Sequence, residues 1–220
     1  MLADVLHRAQ QWLTRHGAIT RASRVGRRFR AMGEGARIAF PAGDIVGPGH
    51  IEIGRGVLIG ADVTLAAGMP AEVLAPDGDA VITIGDRTTI GRGCHLVGRV
   101  GIHIANDVTF APNVYVTDHN HHYGDVTTPI GIQVLDEAPV SIGPGCWIAT
   151  NAVILPGTTI GRQVTVAAGA VVRGTIPDCC VVAGAPAVVV RQWTEEKGWD
   201  PPLRDERVPP PGWPRGYPSG

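Results

Sequence analysis

Aliphatic residues recur at every sixth position over much of this chain. The clearest run occupies positions 142, 148, 154, 160, 166 and 172, each of which is Ile or Val. The residue four positions after each is mostly small, as at Cys146, Ala152 and Ala170. A period of six fits neither a helix nor a strand with alternating side chains. It predicts a solenoid in which each hexad forms one short strand and a turn.

Three such hexads complete one triangular coil of 18 residues, and the pattern predicts about five coils. They cover residues 53–70, 84–101, 104–121, 142–159 and 160–177, with interruptions at 71–83, 102–103 and 122–141. The recurring aliphatic residue is expected to point inward, and the small residue to share the narrow core. The period does not set the handedness of the coil, and right-handed crossings are the general rule for parallel strands.

The two ends of the chain lack this period. Residues 2–16 carry an apolar helical stripe, and five arginines follow between positions 21 and 30. We expect a solvated helix that caps the solenoid, with contact of the basic stretch to an anionic membrane surface or to an acidic glycan carrier as the alternative. Seven prolines after Asp200 exclude a regular helix there and predict an extended tail. The predicted segments are therefore a helical, basic segment at 1–40, a solenoid domain at 41–191 and a proline-rich tail at 192–220.

Composition and charge exclude several functional classes. The net charge of −1 gives no case for a nucleic-acid-binding protein, since such proteins usually show a basic face. No apolar run approaches the roughly 20 residues that cross a bilayer, and charges interrupt the first 17 residues too often for a secretory signal. The four cysteines form no CxxC pair. We therefore expect a reduced, cytoplasmic protein.

Two segments resemble a known enzyme family. Residues 104–125 read IANDVTFAPNVYVTDHNHHYGD, and residues 140–191 continue the hexads to a closing AGAPAVVVR. Together they resemble the hexapeptide-repeat acyltransferases of the maltose and galactoside O-acetyltransferase type, most of all the capsule and exopolysaccharide O-acetyltransferases with a D-H-N-H loop. The resemblance covers residues 40–191. It implies an all-β, left-handed parallel β-helix and a homotrimer with active sites between subunits. It also implies acetyl-CoA along the outside of the coils.

The resemblance places the chemistry in the loop that begins with Asp118 and His119. His119 matches the family's catalytic histidine, which takes the proton of the acceptor hydroxyl as general base. Asp118 and His121 are expected to contact the substrate. A plain surface position is the alternative for His121, and His122 is open between the same two roles. The carboxylate that orients the imidazole stays open between Asp118 and the loop carboxylates at positions 125 and 136.

Five later positions are expected to hold the substrates. Trp147 faces solvent by phase and is expected to stack on sugar or pantetheine. Thr150 and Ala168 match positions along which the family's pantetheine arm runs. Arg173 and Arg191 are the remaining candidates for the CoA phosphates, because the lysines of the family's closing motifs are absent from this chain. The acceptor is expected to be a small molecule or a glycan.

Two other mechanisms and one noncatalytic role are alternatives to direct acyl transfer. Cys94 and Cys146 occupy inward positions, so an acyl-cysteine intermediate is not expected. A zinc hydratase is the rival enzyme, because His103 and His121 share one hexad phase, with His119 or His122 as a third ligand. A noncatalytic scaffold is the third alternative. The acyltransferase interpretation requires no metal.

Overall fold

The computed structural model describes residues 2–68 and 78–202. The helix α1 (Leu2–His16) precedes a long series of short strands, with 3-10 turns at Gly26–Arg28, Pro48–His50 and Ile130–Ile132. The first strands are β1 (Ile19–Thr20), β2 (Ala31–Met32), β3 (Arg37–Ile38), β4 (Ile45–Val46), β5 (Ile51–Ile53), β6 (Leu58–Ile59) and β7 (Thr64–Ala67). The middle strands are β8 (Ile82–Ile84), β9 (Thr89–Ile90), β10 (His95–Gly98), β11 (Ile102–Ile104), β12 (Thr109–Phe110), β13 (Tyr115–Thr117), β14 (His119–His121) and β15 (Leu135–Glu137). The last strands are β16 (Val140–Ile142), β17 (Trp147–Ile148), β18 (Val153–Ile154), β19 (Thr159–Ile160), β20 (Thr165–Val166), β21 (Val171–Val172), β22 (Thr175–Ile176), β23 (Cys180–Gly184), β24 (Ala187–Thr194) and β25 (Gly198–Asp200).

Most of these strands stack in parallel into three sheets around one core. Successive strands enter a seven-stranded, a ten-stranded and a six-stranded sheet in turn. The seven-stranded sheet is β2-β5-β8-β11-β16-β19-β22, and the six-stranded sheet is β4-β7-β10-β13-β18-β21. Buried residues from all three sheets form one hydrophobic cluster, so the sheets are three faces of one stack. The predicted architecture of stacked parallel strands is confirmed.

The chain completes six turns between β2 and β21, one more than the pattern predicts. The additional turn is the first one, β2 to β4, which begins at Ala31, before the predicted boundary at residue 41. The six-residue pattern misses this turn because Asp44 occupies the position six after Ile38. The strand β4 starts one residue after this position, at Ile45.

Inward positions carry the repeating aliphatic and aromatic residues. On the ten-stranded sheet, Ile90, Phe110 and Ile148 follow one another in register, and each is at most 2% exposed. The small residues at the following corners, such as Cys94 and Ala152, are fully buried. The residue just before each of these three inward positions is exposed. The predicted phase of the hexads is therefore confirmed.

Corners between the strands are tight turns that stack on one another. Asp62, Asn113 and Asn151 each adopt a left-handed conformation, with φ between 58° and 61°, which Asp and Asn tolerate better than most residues. Backbone hydrogen bonds link each three-strand turn of the stack to the next one, as from the Tyr115 N–H to the Ala152 carbonyl at 3.0 Å. Each turn therefore satisfies its polar backbone on its two neighbours.

The N-terminal helix does not cap the stack. None of its residues is buried, so the expectation of a capping helix is wrong. The core is instead extended by Phe29, which is 7% exposed and belongs to the hydrophobic cluster. After the helix, β1 pairs antiparallel with β3 at the first end of the ten-stranded sheet.

The C-terminal end closes with antiparallel strands. β24 pairs with β23, and β25 pairs with β24, so that Trp193 lies opposite Trp199. Residues 192–200 therefore form part of a hairpin, where an extended tail was expected. The predicted proline-rich tail beyond residue 202, with Trp213, lies outside the described residues.

The burial pattern predicts opposite effects for two adjacent substitutions in β9. Ile90→Asp places a carboxylate in an apolar core between two stacked turns and should destabilise the fold by about 4 kcal/mol or more. Thr89→Asp faces solvent on the same strand and should change stability by less than about 1 kcal/mol. Urea denaturation followed by circular dichroism measures both values. Equal midpoints for the two variants would contradict the inward assignment of Ile90.

Candidate active site

A long loop leaves the stack after β13 and returns before β16. It leaves at the edge that joins the six-stranded and seven-stranded sheets, which we call the loop edge; this edge comprises residues 99–101, 118–139, 155–158 and 173–174. The Ala138 N–H donates to the Asp118 carbonyl at 2.8 Å and closes the base of the loop. Between these points β14 pairs antiparallel with β15. The excursion therefore covers 119–137 and not the predicted 122–141, because β14 pairs within the loop and does not continue the coil.

Asp118 is a fully buried carboxylate at the base of this loop. The backbone N–H groups of Arg99, Val100 and Gly101 donate to its two oxygens at 2.7–2.9 Å. These three residues form the same corner one turn earlier, where the chain passes from β10 to β11. The negative charge is thus stabilised by four backbone hydrogen bonds in a site with no solvent exposure.

The same carboxylate orients His119. Its Oδ1 lies 2.9 Å from the His119 Nδ1, while Thr117 donates from its hydroxyl to the His119 carbonyl at 3.1 Å. We assign the proton to Nδ1 from its carboxylate partner, which leaves the Nε2 lone pair free. No residue in the described part of the chain hydrogen-bonds Nε2. The His119 side chain is 18% exposed, so its outer nitrogen is able to meet a bound substrate.

This geometry corrects the predicted substrate contact of Asp118 and shows which carboxylate orients His119. A direct substrate contact for Asp118 is excluded in this structure, because its oxygens are buried and engaged by the 99–101 corner and His119. Asp136 instead faces His122, with Nδ1 to Oδ2 at 3.1 Å on the exposed loop. Asp125 accepts bonds from two threonines of the loop, which lower the pKa of its carboxyl to about 2. Asp118 is therefore the orienting carboxylate.

The sequence analysis does not predict three further residues of the site. Arg99 pairs through its guanidinium with Glu137, which lies opposite His119 in the β14–β15 pair. The Arg99 side chain is 15% exposed and that of Glu137 is 31% exposed, and their ion pair ties the returning strand of the loop to the stack. The signal in the sequence was the interruption at 102–103, which marks an extra-long corner directly below the loop. The third residue is Thr117, whose side chain lies against the His119 backbone.

The residues expected to hold the substrates lie at several separate places. Thr150 and Ala168 stack on adjacent turns at a different edge, between the ten-stranded and six-stranded sheets, where the Gly169 N–H donates to the Thr150 carbonyl at 2.9 Å. We call this the Thr150 edge. The two edges are separated by the width of one face of the stack, which is about six residues, or roughly 20 Å. Thr150 and Ala168 therefore do not join His119 within one chain.

Trp147 and the two arginines are also apart from one another. Trp147 is 51% exposed, as its phase predicts, but it lies on the ten-stranded sheet, the face opposite the loop edge, and so not beside the loop within one chain. Arg173 is exposed on the loop edge, two turns beyond Asp118. Arg191 lies on β24 and lines a groove of about 520 Å³ together with Val181, Val190, Thr165 and Trp199. His121, on β14, is exposed on the loop.

The geometry expected for zinc is not present. His103 lies on β11 in register with Ser141, not with His121, because His121 belongs to the excursion and not to the next turn. The His103 ring nitrogen lies 3.1 Å from the Thr83 hydroxyl. No cluster of three or more potential metal ligands occurs within residues 2–68 and 78–202. The stacking of histidines on which the hydratase alternative rested is therefore contradicted.

The buried cysteines are poor nucleophiles. Cys94 and Cys146 are at most 1% exposed and lie at the predicted inward corners. Burial raises the pKa of the Cys146 thiol to about 11 and also raises that of Cys94. Both thiols therefore stay protonated near neutral pH, and neither is open to an acyl donor.

Comparison with known proteins identifies the repeats. Residues 139–174 match the family described as bacterial transferase hexapeptide (six repeats), and residues 81–118 match the hexapeptide repeat of succinyl-transferase. Both matches lie in the parallel stack, on either side of the loop.

Two relatives and one solved structure extend this likeness. WbbJ of Escherichia coli, named as a lipopolysaccharide biosynthesis O-acetyl transferase, is 31% identical over 161 residues, which cover 70% of this chain and 81% of WbbJ. A Mycobacterium tuberculosis protein named as an acetyltransferase is 38% identical over 142 residues, 64% of this chain. The match covers only 44% of that longer relative. The structure of AntD, an N-acyltransferase from Bacillus cereus in complex with dTDP and 3-hydroxybutyryl-CoA, has a TM-score of 0.65 at 21% identity, covering 78% of this chain and 87% of AntD. This structural likeness establishes a shared fold.

The buried carboxylate predicts a specific defect when its charge is removed. In Asp118→Asn, the amide group replaces one acceptor oxygen with a donor, which leaves backbone N–H groups of the 99–101 corner without a partner. We expect a loss of roughly 2–4 kcal/mol in unfolding free energy and faster hydrogen exchange at these amides. Asp136→Asn, which alters an exposed carboxylate beside another histidine, is the control and should leave both unchanged. Unaltered exchange at 99–101 in Asp118→Asn would argue against the described hydrogen bonds.

Proposed function

The chain belongs to the hexapeptide-repeat acetyltransferase family, and we propose that it transfers an acetyl group from acetyl-CoA to a hydroxyl group of a sugar or polysaccharide precursor. The single observation that carries the proposal is the pair formed by Asp118 and His119 at the base of the loop. A buried carboxylate on Nδ1 is the arrangement that prepares the opposite nitrogen to act as a base. A noncatalytic scaffold would need Asp118 for the 99–101 corner, but it would not need a histidine paired with that carboxylate.

The proposed reaction is direct transfer within one ternary complex. The His119 Nε2 takes the proton of the acceptor hydroxyl as the oxygen attacks the carbonyl carbon of the thioester. The tetrahedral intermediate then collapses, the carbon–sulfur bond breaks, and the imidazolium returns the proton to the CoA thiolate. Asp118 acts as a positioning residue that holds the tautomer and offsets the positive charge formed on the ring.

The choice of acceptor and donor rests on the relatives and on the loop. WbbJ is named for O-acetyl transfer in lipopolysaccharide biosynthesis, which favours a glycan hydroxyl as the acceptor. His121 is exposed two residues from His119 and supplies a polar contact for such an acceptor. AntD was solved with an acyl-CoA, so this fold is able to hold the donor. We propose the reducing cytoplasm as the location.

We further propose a left-handed β-helix that assembles as a homotrimer with shared active sites. The separation of His119 from the Thr150 edge supports sharing, because the loop edge of one subunit would meet the Thr150 edge and Trp147 of the next. The loop also exposes large apolar side chains, with Val126, Ile132 and Val134 each at least 75% exposed. Such a patch is expected to be covered by another protein surface. Arg173 and Arg191 remain the proposed contacts of the CoA phosphates.

The proposed base predicts the effect of removing each loop histidine. His119→Ala should lower kcat by ~10²–10⁴-fold and leave acetyl-CoA affinity unchanged, because only proton transfer is lost. His121→Ala should mainly raise the KM of the acceptor, and His122→Ala serves as the exposed control. Release of free CoA over a panel of glycans and nucleotide sugars measures turnover, and calorimetry measures donor affinity. Near-normal turnover in His119→Ala would rule out this histidine as the base.

Sharing of the site predicts complementation between two inactive variants. Ala168→Trp blocks the proposed path of pantetheine, whereas His119→Ala removes the base. If each site takes one residue from each of two subunits, mixed trimers made at equal ratio should regain about a quarter of wild-type activity. Light scattering should give three times the 23.1 kDa subunit mass for each variant. Absence of any recovery in mixed trimers would show that the site lies within one subunit.

A further inference from the structure

The N-terminal helix presents an apolar stripe that lies exposed on the surface of the described chain. Leu2, Val5, Leu6 and Trp12 lie on one side of α1, and each is at least 60% exposed. No residue of the helix is buried, so packing against the stack does not account for the stripe. Among the described helices, none has the length and apolar character to cross a bilayer. The stripe thus has the form of a surface that lies on an apolar partner.

Positive charge is concentrated in the same part of the chain. Residues 1–30 contain seven arginines and one acidic residue, a net charge of +6 with histidines neutral. The remaining residues have a net charge of −7. The near-neutral total therefore conceals a strong asymmetry between the N-terminal segment and the rest of the molecule.

The arginines that follow the helix are held on an ordered turn. The Ser23 side chain accepts a bond from the Gly26 N–H at 3.0 Å and donates to the Thr20 carbonyl at 2.7 Å. A Cβ at Gly26 would lie 1.9 Å from that carbonyl oxygen, so only glycine fits at this position. The turn leads into the 3-10 helix Gly26–Arg28 and then to Phe29 in the core.

Four of these arginines project into solvent without an ionic partner in the structure as described. They are Arg21, Arg24, Arg27 and Arg28, whereas Arg30 is paired with Glu52. Because β1 holds this segment against β3, the four cations and the end of α1 lie together at the first end of the stack.

We propose that this N-terminal face, α1 together with Arg21, Arg24, Arg27 and Arg28, binds the surface of an anionic lipid bilayer. An apolar stripe with a tryptophan suits the boundary between headgroups and acyl chains, and the arginines suit the anionic headgroups. A nucleic acid would match the arginines but would leave the apolar stripe in water. A second copy of the same face would bring the two sets of cations together, which costs energy. A lipid bilayer offers acyl chains for the apolar stripe and anionic headgroups for the arginines.

Flotation of the full chain with lipid vesicles tests this proposal without reference to catalysis. We expect the protein to float with vesicles of phosphatidylcholine and phosphatidylglycerol, to bind phosphatidylcholine alone much more weakly, and to dissociate at high salt. The triple variant Arg24→Gln, Arg27→Gln, Arg28→Gln should lower the partition coefficient about 100-fold, since each cation near an anionic bilayer contributes roughly a factor of five. Trp12→Glu should also abolish binding, and its thermal unfolding should match wild type because Trp12 is not buried.

Two control variants make the result specific. Arg55→Gln, Arg92→Gln, Arg162→Gln produces the same change in net charge along the sides of the stack, and Leu58→Glu introduces a carboxylate at another exposed apolar residue. Both should bind anionic vesicles as wild type does. Equal loss in the control triple variant, or failure of the wild-type protein to bind anionic vesicles, would overturn the proposal. Dissociation of the oligomer by Trp12→Glu, without vesicle binding by wild type, would show that a second copy covers the stripe.

Discussion

Each turn of this protein depends on its neighbours for backbone hydrogen bonds. A strand of two or three residues cannot satisfy its own N–H and carbonyl groups, so a single turn has no stability alone. Stacking satisfies these groups only if the strands of successive turns stay in register. An inward aliphatic residue at every sixth position keeps that register, because it places one side of each strand in the narrow core. The repeat in the sequence is the direct consequence of this constraint.

The loop at Asp118 interrupts the stack at one edge, and the structure accommodates it with one charged side chain. Asp118 accepts the hydrogen bonds of the 99–101 corner, which a regular coil would otherwise pair with the following turn. The same carboxylate orients His119. The residue that repairs the interrupted stack is therefore also the residue that prepares the proposed base, so stability and chemistry are coupled at this position.

The regular stack also explains why one chain holds an incomplete set of the predicted site residues. A three-sided coil has three edges, and residues that differ by a third of a turn lie on different edges. His119 lies on one edge, whereas Thr150 and Ala168 lie on another. A rigid stack cannot bend to bring these edges together, which is why the proposed site calls for the edge of a second subunit. The asymmetric charge of the N-terminal face is the basis for the second partner proposed above, a lipid surface.

Periodicity in the sequence determined the class of fold, the inward residues and the position of the loop, because burial in a narrow core leaves a regular record along the chain. The D-H pair at 118–119 was also visible, and its resemblance to a family pointed to the base. The first turn was missed at Asp44, where the period slips by one residue. Only the tertiary structure decided that Asp118 is buried beneath His119, that β14 turns back on β15, and that Trp147 lies on the opposite face. These features depend on which residues meet across turns of the stack, and distance along the chain does not encode that contact.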